Sequence, residues 1–86
     1  MGKDGHIASI FPNSKNLYGR FIAKPVTRRD FMRITLSLNV INNSKKILLW
    51  LNNKSKSNIY FKIKKEGKKI PVNNLNNRKT IVYKLN

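Results

Sequence analysis

Few residue types in this chain could carry covalent chemistry. His6 is the single histidine, cysteine is absent, and the acids are Asp4, Asp30 and Glu66. Acid–base catalysis by paired carboxylates needs two acids close together, and these three are spread along the chain without an obvious pair. A lone histidine beside Gly5 in a turn reads as polar surface rather than as a catalyst or metal ligand. The lack of cysteine excludes a disulfide framework and a thiolate site. The expectation is a protein that is not an enzyme, with no cofactor and no metal.

The chemistry the residues do favour is the binding of anions. Lys and Arg number 19 against 3 Asp and Glu, for a formal charge of +16 over 86 residues. Such a chain repels itself and attracts polyanions. Gly5 can let backbone N–H groups approach a phosphate because no Cβ obstructs, with Lys3 adding a point charge. Lys15, Arg20, Lys24, Arg28 and Arg29 cluster in the segment that follows, and arginine suits bidentate phosphate contacts. Further on, Tyr60, Lys62 and Lys64 share one face if the segment is a strand, an aromatic among cations that could stack on an unpaired base. Trp50 sits in an apolar run and reads as core. Nucleic acid is the expected partner, with no small-molecule substrate. A membrane is disfavoured: the longest apolar run, Ile47 to Leu51, has five residues, against the ~20 that span a bilayer. No signal peptide is evident. Heavy use of Ile, Lys and Asn suggests an AT-rich genome, such as that of an organelle, a parasite or a low-GC bacterium.

Positioning these groups falls to short elements in what reads as one RNA-binding domain over residues 1–86, divided into 1–29, 30–56 and 57–86. Residues 6–11 and Leu17 to Ala23 read as strands joined by a Phe11-Pro12-Asn13-Ser14-Lys15-Asn16 turn. Over residues 31–41 the apolar residues alternate, which predicts a strand with Arg33, Thr35, Ser37 and Asn39 on its polar face. A helical stripe through Phe31, Ile34, Leu38 and Ile41 is the alternative, with Thr27 and Asp30 as its capping box. Ile47–Leu51 reads as a buried strand. Ile59, Phe61 and Ile63 alternate ahead of a Lys65-Glu66-Gly67-Lys68 turn, which predicts a hairpin returning over Lys69–Val72. Thr80–Leu85 reads as the last strand. The pattern is mainly β, a small barrel or open sheet with a C-terminal hairpin extension.

Gly2-Lys3-Asp4-Gly5, then Ile7, Ile10, Phe11-Pro12 and Leu17, resembles the KOW motif of the bacterial and organellar large-subunit ribosomal protein twenty-four family, without that family's usual first strand. Ser57–Ile63 with Glu66-Gly67-Lys68-Lys69-Ile70 resembles the family's later hairpin. The resemblance implies an SH3-like barrel, a structural role in the ribosome clamping large-subunit ribosomal RNA during assembly, neighbouring ribosomal proteins as partners, and a mitochondrial or plastid ribosome as the location, or else the bacterial cytoplasm. Trp50 with Gly67–Val72 is similar to the small-subunit ribosomal protein nineteen type. A small barrel binding phage or bacterial DNA, or an inhibitor docking on an acidic protein, are the other readings.

Overall fold

The computed structural model describes residues 1–13, 19–29 and 31–84. After a tight N-terminal loop the order is strand β1 (Ala23–Thr27), strand β2 (Met32–Leu36), helix α1 (Leu38–Asn43), strand β3 (Ile47–Leu51), helix α2 (Lys54–Ile63), a short 3₁₀ turn (Pro71–Asn74) and strand β4 (Thr80–Lys84). These strands form two separate two-stranded sheets: β1 pairs antiparallel with β2, and β3 pairs parallel with β4. Among the described residues the architecture is mixed α and β, so the expected mainly-β barrel is replaced by two small open sheets and two helices.

The parallel pair explains most of that difference. Parallel neighbours cannot be joined by a tight turn and require a crossover. Here α2 and the 3₁₀ turn make it. Residues 59–63 alternate like a strand, but Ile59 and Ile63 are also four apart and lie on one helical face. Asn53 caps the helix, its side-chain oxygen accepting from the Lys56 N–H at 2.8 Å. The predicted C-terminal hairpin is therefore a helix followed by a turn, and Gly67 sits in that turn at φ 85°. Residues 31–41 divide at Ser37. The strand ends at Leu36, and the Ser37 hydroxyl accepts from the Val40 N–H at 3.1 Å to start α1. The strand predicted over residues 6–11 is only a Ile7–Ile10 bridge inside the N-terminal loop. Residues 14–16 of the predicted turn and residues 17 and 18 of the strand predicted over 17–23 lie outside the described residues, and regular pairing begins at Ala23.

Ile7, Ile10, Leu38, Ile47, Leu49, Leu51, Ile63, Val72 and Leu75 form the buried core. Side chains of asparagine fasten the loops around it. Asn42 at the end of α1 donates to the Asn74 carbonyl and accepts from the Asn76 N–H, both at 2.9 Å. Asn73 donates to the Ile63 carbonyl at 3.0 Å and to the Gly67 carbonyl at 2.7 Å, so the end of α2 is held against the 3₁₀ turn. Short amide side chains suit such work because they can mimic backbone groups.

Strand β2 faces opposite to the reading of its pattern. Met32, Ile34 and Leu36 are exposed, while Thr35 is buried and Arg33 half-buried. The Thr35 hydroxyl accepts from the Ser9 N–H at 3.1 Å and donates to the Leu36 carbonyl at 2.9 Å. That pairing turns the polar row of β2 toward the N-terminal loop and leaves the apolar row outside. In β3 the alternation puts Ile47, Leu49 and Leu51 inside, and Trp50, expected in the core, is 60% exposed and 6.1 Å from the ring of Tyr83.

Candidate active site

The N-terminal loop is built to bring Asp4 onto His6. The Gly2 N–H donates to the His6 carbonyl at 2.9 Å and the Gly5 N–H to the Gly2 carbonyl at 3.0 Å. Gly5 lies at φ 85°, a conformation that glycine enters without steric cost. A Cβ on Gly5 would strike the Ile70 side chain, and a Cβ on Gly2 would strike the imidazole of His6. The two glycines therefore serve different ends. Gly5 lets the turn settle on the core, where its carbonyl accepts from the Val72 N–H at 3.1 Å. Gly2 leaves the space that the imidazole occupies.

Asp4 Oδ1 accepts the His6 backbone N–H at 3.1 Å and lies 2.6 Å from His6 Nδ1. Partial burial pushes the Asp4 carboxyl up, but the hydrogen bonds from the His6 ring and backbone, with the charge of that ring, outweigh it and hold the group below the ordinary carboxylate range. In the neutral ring, a carboxylate at Nδ1 favours the proton on that nitrogen and the lone pair on Nε2. An acid that fixes the tautomer and orientation of an imidazole is an arrangement able to serve proton transfer.

Beside the pair stands a cationic cleft. The imidazole packs on Phe11 with ring centroids 4.5 Å apart, and the guanidinium carbon of Arg28 lies 3.9 Å from the centre of the same Phe11 ring. Arg33 approaches it at 5.7 Å. Phe11, Thr27, Arg28, Arg29 and Arg33 line an open cleft of about 490 Å³. Arg28 and Arg29 come from the β1–β2 turn, closed by the Arg28 N–H on the Phe31 carbonyl at 3.2 Å. Arg33 comes from the inward row of β2, whose next inward residue, Thr35, binds Ser9 of the N-terminal loop. One side chain thus touches both the imidazole of the Asp4–His6 pair and the arginine-lined cleft.

The family model for glucosamine-6-phosphate isomerases/6-phosphogluconolactonases matches residues 1–83. The chain belongs to that family. No curated protein and no solved structure matches it.

Membership in the isomerase/lactonase family corrects the reading of the sequence at several points. The N-terminal Gly-Lys-Asp-Gly turn is not a KOW motif, and the ribosomal, RNA-binding and translation expectations fall with it, as do the DNA-binding and protein-inhibitor alternatives. The family is one of enzymes that act on small sugar phosphates, against the expectation of a non-enzyme partnered by ribosomal RNA. The physical reason for the error is plain. A surplus of cations reports affinity for anions, and it does not distinguish one phosphate group from a chain of them.

The residues singled out for RNA do not form one surface. Arg28 and Arg29 line the cleft, and Gly5 and Lys3 belong to the loop that holds the pair. Lys24 packs its ammonium 4.9 Å from the Phe21 ring, away from the cleft lining, and Arg20 is exposed. Lys15 lies outside the described residues. The ammonium of Lys64, which caps the end of α2, lies 5.5 Å from the centre of the Tyr60 ring, but helical spacing turns Lys62 to another face, so the expected basic strand face does not exist.

Four residues of the candidate site, Asp4, His6, Phe11 and Arg33, carry no site role in the sequence reading. Arg33 was assigned to a polar strand face without a role, and Phe11 only to a turn. The Asp4–His6 pair was missed because carboxylates were weighed against one another and not against the histidine two residues away. An acid two residues before a histidine, within a glycine turn, was the available signal.

Proposed function

We propose that the chain acts on a phosphorylated sugar, with Asp4 and His6 as the proton-transfer pair and the arginine cleft as the seat of the phosphate. The single observation that carries this reading is the contact of His6 and Arg28 with one ring, Phe11, at 4.5 and 3.9 Å. It puts a base and a cationic pocket side by side, as a substrate with a reacting carbon at one end and a phosphate at the other requires. Arginine meets a phosphate with two parallel N–H donors, and Arg28, Arg29 and Arg33 together offset its charge.

Of the two reactions in the family's description, hydrolysis of the lactone fits this pair better. A lactone is an internal ester. Its opening needs one base to take a proton from water as the oxygen attacks the carbonyl carbon, and the same group can return that proton to the departing ring oxygen. His6 Nε2 can perform both transfers while Asp4 steadies the imidazolium formed between them. Isomerisation shifts a carbon-bound proton and also opens the ring, tasks that two independently placed groups share more readily than one imidazole.

The test is a pair of assays on the 86-residue chain, one following hydrolysis of 6-phosphogluconolactone and one following isomerisation of glucosamine-6-phosphate. Hydrolysis that His6→Ala abolishes supports the reading. Isomerase activity in place of hydrolysis would overturn the choice of reaction, and activity unaffected by His6→Ala would overturn the assignment of the pair.

A further inference from the structure

We propose that Phe11 is a positioning residue that makes the orientation of His6 depend on whether an anion occupies the arginine cleft; the proposal rests on the reading of that cleft as the phosphate site. Phe11 is 6% exposed, so its ring is held by packing and cannot swing freely into solvent. Arg28 lies over the ring at a distance where a guanidinium is drawn to the π face. The imidazole of His6 packs on the same ring at an interplanar angle of 35°. On another side the imidazole meets the backbone of Gly2, so close that a Cβ there would collide with it. His6 is thus confined between a ring and a backbone. A change in how Phe11 sits must turn the imidazole relative to Asp4 or press it on the loop.

An anion entering the cleft changes what Phe11 feels. A phosphate draws the guanidinium of Arg28 into bidentate contact and neutralises part of its charge, which weakens and redirects the attraction between Arg28 and the ring. The effect reaches His6 through one side chain and needs no movement of a strand. Its use is discrimination: the base adopts its working angle with a substrate that carries a phosphate and not with an unphosphorylated sugar. Binding energy from the remote phosphate is then expressed at the reacting carbon.

The test is heteronuclear NMR of the parent protein titrated with inorganic phosphate, following the Arg28 side-chain N–H and the His6 ring C–H signals. Both should move, with the same dissociation constant. In Phe11→Leu, phosphate should still move the Arg28 signal but leave the His6 ring signals still, and Phe11→Tyr should restore the response. In the assay, Phe11→Leu should lower kcat at least tenfold with KM changed less than threefold, since the arginines remain. Should Phe11→Leu fail to fold, Arg28→Lys carries the same test: it keeps the charge but loses the planar stack, so phosphate should bind without moving His6. A parent in which Arg28 responds and His6 does not would overturn the coupling and leave the cleft standing. If neither responds, the cleft is not a phosphate site and both readings fall. An undiminished His6 response in Phe11→Leu would also overturn the role of Phe11.

Discussion

His6 Nδ1 lies 2.6 Å from Asp4 Oδ1, across two residues of a glycine turn. The partners are near neighbours in sequence, so the pair is a local device that needs little from the rest of the fold beyond the anchoring of the loop. His6 adds its own backbone N–H to the same carboxylate oxygen, which fixes Asp4 from two directions.

Asp4→Asn keeps the shape of the turn but removes the charge that steadies an imidazolium. Activity should fall by about 10²- to 10⁴-fold. His6→Ala should cost a similar factor, and the double variant little more than either, because the two act as a unit. Steady-state kinetics of the three variants check this, and multiplicative losses would contradict it.

The depressed Asp4 carboxyl ties the order of the loop to pH. A group whose pKa is lower in the folded than in the unfolded chain contributes stability above its unfolded value near 3.8, and that contribution is lost as the pH falls through the folded value. The side chain is 48% exposed, so solvent screens the effect and it should be modest. A carbon-detected titration of Asp4 Cγ should show a midpoint below that of a free aspartate. A midpoint at or above it would contradict the pairing with His6.

Gly5 and Gly67 share φ 85° but not their surroundings. Gly5→Val should destabilise by at least 1–3 kcal/mol on the order of magnitude of backbone strain, with more from the collision with Ile70. Gly67→Ala meets open space, and its cost should be confined to the strain of a left-handed alanine, about 1 kcal/mol. Urea unfolding measures both, and equal losses would show that packing at Ile70 adds nothing.

Along β3, neighbours differ sharply in what they support. Leu51 has no exposed surface, and Leu51→Ala should cost about 2–5 kcal/mol. Trp50, one residue earlier, is mostly outside, and Trp50→Ser should change stability by less than about 1 kcal/mol. Thermal or denaturant unfolding of the two variants tests the alternation directly.

Some of this architecture is legible in the chain. Ile47–Leu51 reads as a strand because five apolar residues, β-branched at the start, stand between polar loops, and it is one. Thr80 onward reads as a strand by its β-branched and aromatic residues, and Thr80–Lys84 pairs as one. Of residues 31–41 the first half was right. Ser37 ends it as a helix cap, a role a strand pattern conceals. The sequence reading opens the glycine turn to a phosphate, whereas in the structure the close neighbour of Gly5 is the Ile70 side chain and that of Gly2 is the imidazole of His6.

What the amino-acid order determined by itself is local. It includes the Gly2–Gly5 turn, the excess of cations, the absence of thiol chemistry, and the placement of Asp4 within reach of His6. Tertiary structure decided the rest. Periodicity shows that the two rows of β2 differ, but which row turns inward depends on a hydrogen bond between Thr35 and Ser9, 26 residues apart. Whether residues 54–63 coil or extend depends on β3 and β4 lying parallel, a pairing between segments about thirty residues apart that demands a crossover. The contact of Phe11 with Arg28 likewise joins a loop to a distant hairpin turn. Contacts of this kind arise from packing in three dimensions, and short-range propensity carries no record of them.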